Sequence, residues 1–204
     1  MAVNLQKGQT ITLDKSQNDL SYITVGLGWD VRQVKPKWGR GGEEYDLDAI
    51  ALLMDANDKV PVVGDKKLQG GDVIFFNNLQ HRSGAIWLTG YNLTGAGEGD
   101  DEQIIVKLDS IEARISKILF IVAIYEGRKN KQHFGMVENC YIRAVDAKGQ
   151  EIARYNISND PIFNGKCSMI FAEAYRRADG WKFRAIGEPQ DTDSFADILK
   201  RYTV

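Results

Sequence analysis

This chain is dominated by a succession of short apolar, β-branched runs that recur between turn signals, without long amphipathic helices alternating between them. The runs cover residues 10–13, 20–29, 47–54, 73–76, 85–88, 103–108, 118–125, 140–145, 152–157, 168–175 and 181–186. A parallel sheet needs a crossover, usually a helix, between successive strands, and that alternation is missing. The expected fold is therefore all-β, a sandwich or a barrel. Asp146-Ala-Lys-Gly149 and Ala178-Asp-Gly180 each separate two runs and supply the glycine that a tight hairpin uses for positive φ. Two helical pieces are expected. One is a short connection over 110–117, from the spacing of Ile111 and Ile115. The other spans 192–202, where Phe195, Ile198, Leu199 and Tyr202 form one stripe behind a Ser194/Asp197 capping box.

Length and charge narrow the class. With 204 residues, 43% of them hydrophobic, the chain has ample material for a core. The glycine- and charge-rich stretches 32–44 and 127–131 read as loops within one domain rather than linkers. Lys and Arg total 26 against 28 for Asp and Glu, so the net charge of -2 offers no general attraction to nucleic acid or to anionic lipid. The N-terminus lacks an apolar signal region and no apolar stretch is long enough to span a bilayer, which predicts a cytoplasmic protein with no integral membrane segment. Cys140 and Cys167 are far apart, and His81 and His133 are the only histidines, so the thiols are expected to be reduced and zinc is disfavoured.

The chemistry concentrates in carboxylates. In Gly95-Ala-Gly-Glu-Gly-Asp-Asp-Glu102, three alternating glycines precede three consecutive acids. Like charges packed so closely either stay solvated or gather a cation. Flexible backbone with many oxygen donors suits calcium better than magnesium. A phosphate cradle is opposed by the same acids, which would repel the ligand. Asp46 and Asp48, two apart at the start of the 47–54 run, project to one side of a strand and could reach one ion. Alternatively they are polar residues opening a strand. Asp30, where the Gly26-Leu-Gly-Trp29 run ends, is a third contributor. The segment 55–59 lacks the Gly and late Glu of an EF-hand. No nucleophile elbow is present, and His81 and His133 read as surface or half-packed side chains.

Together these segments resemble a known family. Gly26-Leu-Gly-Trp-Asp30, Asp46-Leu-Asp-Ala49, Asn92-Leu-Thr-Gly95, Gly99-Asp-Asp-Glu102, Ala153-Arg-Tyr-Asn156 and Trp181-Lys-Phe-Arg-Ala185 are similar, in order and spacing, to the TerD family of tellurite-resistance and stress proteins. The similarity runs from about residue 3 to Gly187. It implies a two-sheet β-sandwich, to which the apolar spacing adds short helical connections and a short C-terminal helix, with calcium bound in loops at one end and no known catalytic activity. Tyr91 and Ala96 stand where the family carries acids, which leaves the number and affinity of ions open.

The resulting expectation is a TerD-like sandwich over 1–190 with a helical extension over 191–204. It would be a calcium-binding, non-enzymatic stress-response module whose partners are calcium ions and other stress-response proteins. Asp46, Asp48, Asp100, Asp101 and Glu102 would supply oxygens, with Asp30 and Asn92 as further ligands. Two alternatives use the same carboxylates: a metal-dependent phosphoester hydrolase, and a calcium-dependent lipid-binding module with Trp38 and Tyr91 at its loop tips.

Overall fold

The computed structural model describes residues 2–30, 45–89, 99–157 and 160–203. Among these residues twelve strands are shared equally by two sheets: β1 (Val3–Asn4), β2 (Thr10–Thr12), β3 (Ile23–Asp30), β4 (Leu47–Met54), β5 (Val73–Ile74), β6 (Ile86–Thr89), β7 (Glu102–Val106), β8 (Lys117–Ile124), β9 (Glu138–Asp146), β10 (Glu151–Asn156), β11 (Ser168–Arg177) and β12 (Gly180–Gln190). The first sheet has the order β1-β10-β9-β3-β7-β6 and the second β2-β12-β11-β8-β4-β5. Pairing is antiparallel apart from β1 against β10, where Val3 and Asn4 face Ala153 and Arg154. That two-residue strand has no sequence pattern of its own, and the eleven expected runs correspond to β2 through β12.

Both expected hairpins form. Asp146 N–H bonds the carbonyl of Gln150 across the β9–β10 turn, with Gly149 at φ +81°. In the β11–β12 turn Arg177 faces Gly180, at φ +122°. Side chains alternate between two environments, as the pleat requires. Val25 and Leu27 of β3, Leu47, Ala49, Ala51 and Leu53 of β4, and Phe120, Phe171 and Phe183 of the neighbouring strands fill the space between the sheets. The other face of β4 is also buried: Ile50, Leu52 and Met54 join Leu119, Ile121 and Ile170 in a second cluster. A strand buried on both faces reads as a continuous apolar run.

The cover over that second cluster is the C-terminal segment. It is shorter than the 192–202 helix expected, with an α-helix at Phe195–Leu199 followed by a 3-10 turn at Lys200–Tyr202. Ile198 and Leu199 are buried in the cluster, with Phe195 and Tyr202 packed at its edge. The capping box does not form. Thr192 takes over, its hydroxyl accepting from Ser194 N–H and donating to Asp197 Oδ2.

Two other local readings are corrected. Residues 110–117 do not form a helix; a 3-10 turn ends at Ser110 and Lys117 already opens β8. Arg176 is the reason the chain can stay irregular there, since its guanidinium donates to the carbonyls of Ile111, Glu112 and Ile115 while Ile111 and Ile115 point into the core. Within the expected 127–131 loop, Gly127–Asn130 makes a single helical turn, which we label α1, flanked by Glu126 and Lys131 in left-handed conformations. The other expected loop, 32–44, lies outside the described residues. Cys140 and Cys167 are free and buried, as expected.

Candidate metal centre

One end of the sandwich gathers acids from both sheets. Asp46 and Asp48 flank Leu47 at the start of β4, and Glu102 opens β7 in the facing sheet. Strand β5 pairs with β4 only at Ala51 and Leu52, so it does not reach Ala49. The Ala49 N–H instead donates to Glu102 Oε2 at 2.5 Å, tying the sheets together through a buried carboxylate. Asp101 is buried alongside. Its Oδ2 accepts from Trp29 N–H at 2.8 Å, and its own N–H donates to the Leu27 carbonyl at 2.8 Å.

The electrostatics follow from this crowding. Burial pushes the Glu102 carboxyl up to about 8; the Ala49 N–H opposes that, and the charges of Asp48, Asp46 and Asp101 reinforce it. Burial, then the neighbouring Asp46, lifts Asp48 to about 7. Asp46 is raised by burial as well. Glu102 and Asp48 therefore hold protons near neutrality unless a cation takes their place.

Not every expected ligand joins the group. Asp100 turns to the outer face of the first sheet, where Arg143 Nε donates to its Oδ1 at 2.7 Å and the Tyr141 hydroxyl lies 3.1 Å away. Asp30 is exposed at the end of β3 and accepts from Asn139 Nδ2. Asn92, with Tyr91 and Ala96, lies outside the described residues. Among the described residues, no three Asp, Glu, His or Cys side chains form a ready-made ligand shell. What Asp46, Asp48, Asp101 and Glu102 share is an all-oxygen donor set and mutual repulsion, a chemistry that fits a hard divalent cation.

A second polar constellation escaped the sequence reading. His81 is not a surface side chain: it is buried, with Nε2 2.9 Å from Asp72 Oδ1 and Nδ1 2.7 Å from Ser83 Oγ. Arg114 donates to both oxygens of Asp72, at 2.6 and 2.7 Å. Burial alone would raise Asp72, but the bonds from Arg114 and His81 outweigh it and hold the carboxyl well below its ordinary value. No sequence spacing announces this network, because Asp72, His81 and Arg114 come from three separate connections. The role of Gly26 and Gly28 was equally hidden: a Cβ at Gly26 would strike Asp100, and one at Gly28 would strike the Tyr141 ring.

A comparison with known proteins decides the lineage. The TerD domain model matches residues 1–202, which takes the similarity past Gly187 and through the C-terminal cover. The chain belongs to the TerD family. Among TerD relatives, the tellurium resistance protein TerX of Serratia marcescens is 52% identical over 99% of this chain and its own full length. The stress response protein SCP2 of Bacillus subtilis is 41% identical over 99% of this chain and all of its own. The solved structure of SCO6318 from Streptomyces coelicolor, described as a homologue of the telluride resistance protein TerD, is 24% identical, covers 91% of this chain and 99% of its own, and superposes with a TM-score of 0.66. The two-sheet fold is thus that of its neighbours, and the chain is a member of the tellurium-resistance and stress-response protein family. Among the described residues, no helix is long and apolar enough to cross a membrane.

Proposed function

We propose that this chain is a calcium-binding, non-enzymatic stress-response protein of the tellurium-resistance type, a cytoplasmic module whose bound ion orders one end of the sandwich into a surface for other stress-response proteins. The observation that carries the reading is the buried Glu102 carboxylate, which bridges the two sheets and is surrounded by the charges of Asp46, Asp48 and Asp101. A bound calcium ion would supply the positive charge that lets these groups ionise together, and Asp46, Asp48, Asp101 and Glu102 would hold it. The names of TerX and SCP2 support the assignment to stress resistance.

The non-enzymatic part rests on how the remaining polar groups are used. Ser83, His81 and Asp72 have the residue types of a hydrolase triad, but both Asp72 oxygens are engaged by Arg114 and the Ser83 hydroxyl accepts from Ala85 N–H. That arrangement locks a turn. Calorimetry of metal-stripped protein tests the proposal: calcium should bind in preference to magnesium and raise the melting temperature by about 5 to 10 °C at a hundredfold excess over Kd. A melting point that ignores calcium would end the metal reading.

A further inference from the structure

Asp100 opens the run of three consecutive acids yet is the member that the fold turns away. Gly26 and Gly28 of β3 leave two notches on the outer face of the first sheet, filled by the Asp100 carboxylate and the Tyr141 ring. The Asp100 side chain is 1% exposed. Arg143 Nε donates to its Oδ1, Gln103 Nε2 approaches its Oδ2 at 3.3 Å, and the Tyr141 hydroxyl donates to the Gly99 carbonyl at 2.9 Å. The clamp is itself braced. Glu151 lies 3.1 Å from Arg143 and 2.8 Å from Arg154, whose guanidinium covers the Tyr141 ring at 3.9 Å.

Strand parity gives this clamp a consequence. In a regular strand, residues 100 and 102 would share a face and 101 would oppose them. Here Gly99 takes φ +107° and the chain bends at Asp101, so Asp100 lies outside with Gln103 while Asp101 and Glu102, consecutive in sequence, both belong to the buried acidic group.

We infer that Arg143 is a positioning residue: by holding Asp100 on the outer face with Tyr141, it fixes the bend that presents Asp101 and Glu102 together to the cation, and Asp100 is an anchor rather than a ligand. The inference rests on the calcium reading for its consequence but not for its geometry. The sign of one substitution separates the roles. Were Asp100 a ligand that Arg143 merely competes for, Arg143→Met would free a carboxylate and tighten calcium binding. As an anchor, its release should weaken binding by about tenfold, the usual penalty for losing an outer support of a metal ligand. Arg143→Lys should recover part of the affinity, and Tyr141→Phe, which keeps the ion pair, should lose less than Arg143→Met.

A metal-free measurement decides the geometry separately. Hydrogen exchange in chelator should speed up at the Trp29 and Asp101 amides in Arg143→Met, while the β11–β12 hairpin amides keep their protection. Tightened binding, or unchanged exchange at Trp29 and Asp101, would overturn the inference. If the unaltered protein binds no calcium, the functional proposal falls and the exchange result alone judges the clamp.

Discussion

Two buried carboxylate sites in this molecule are solved in opposite ways. Asp72 is fully buried and meets a guanidinium on both oxygens and an imidazole on one, so its charge is balanced inside the protein. Glu102 is buried almost as deeply, but it accepts from the Ala49 backbone N–H and, among the described residues, Asp46, Asp48 and Asp101 crowd it with like charge. Burial disfavours ionisation at both; the neighbours reverse that effect at the first site and add to it at the second. Among the described residues, the first site carries its own counter-charge while the second gathers like charges, and the side chains named there are all oxygen donors.

The largest effect should come from unbalancing the balanced site. Asp72→Asn removes the charge that Arg114 and His81 were arranged around, and breaking a buried pair of this kind typically costs about 3 to 5 kcal/mol. Urea denaturation should show that loss with calcium present or absent. A variant as stable as the unaltered protein would mean that the network is ornamental.

The pH dependence sharpens the contrast, because the two sites have opposite signs. Glu102 and Asp48 bind protons more tightly folded than unfolded, so their contribution to metal-free stability is fully present below their ordinary values of 4.5 and 3.8 and is lost as pH rises through about 8 and about 7. Asp72 is depressed, so its contribution is present above 3.8 and is lost as pH falls through its lowered value. Metal-free protein should therefore lose several kcal/mol of stability between pH 5 and 8, and saturating calcium should flatten that slope. Thermal melts across this range, with and without chelator, are the measurement. A flat metal-free profile would show that the acids at the sandwich end do not repel one another.

The smallest effect is the most diagnostic. Glu102→Gln keeps an oxygen for the Ala49 N–H while removing one charge, so in chelator it should be neutral or stabilising by about 1 kcal/mol. The same variant should lose most of the calcium-induced melting shift. Equal destabilisation in both conditions would make Glu102 a structural bridge alone.

The extent to which sequence reading succeeded follows from the range of the interactions involved. Strand positions were legible because alternation and turn glycines act over a few residues: the 47–54 run coincides with β4, and both hairpin turns fall where their glycines predicted. The acidic residues were legible as a group by composition and by family resemblance. The side to which each one faces was not. Asp100 and Asp101 are neighbours in an unbroken acidic run, and only the notch at Gly26 and the reach of Arg143 send them to different places.

Partners contributed by distant segments are what the tertiary structure alone decided. His81 read as a surface residue because Asp72 and Arg114 cannot be assigned to it by spacing, and the 110–117 segment read as helical because the Arg176 side chain that satisfies its carbonyls arrives from β11. The sequence by itself determined an all-β chain with turns at set places, since periodicity and positive-φ glycines are local constraints. Which carboxylates are neutralised within the fold and which are left facing one another was decided by sheet packing, because Coulombic energies depend on separation in space and on burial, and neither is written along the chain.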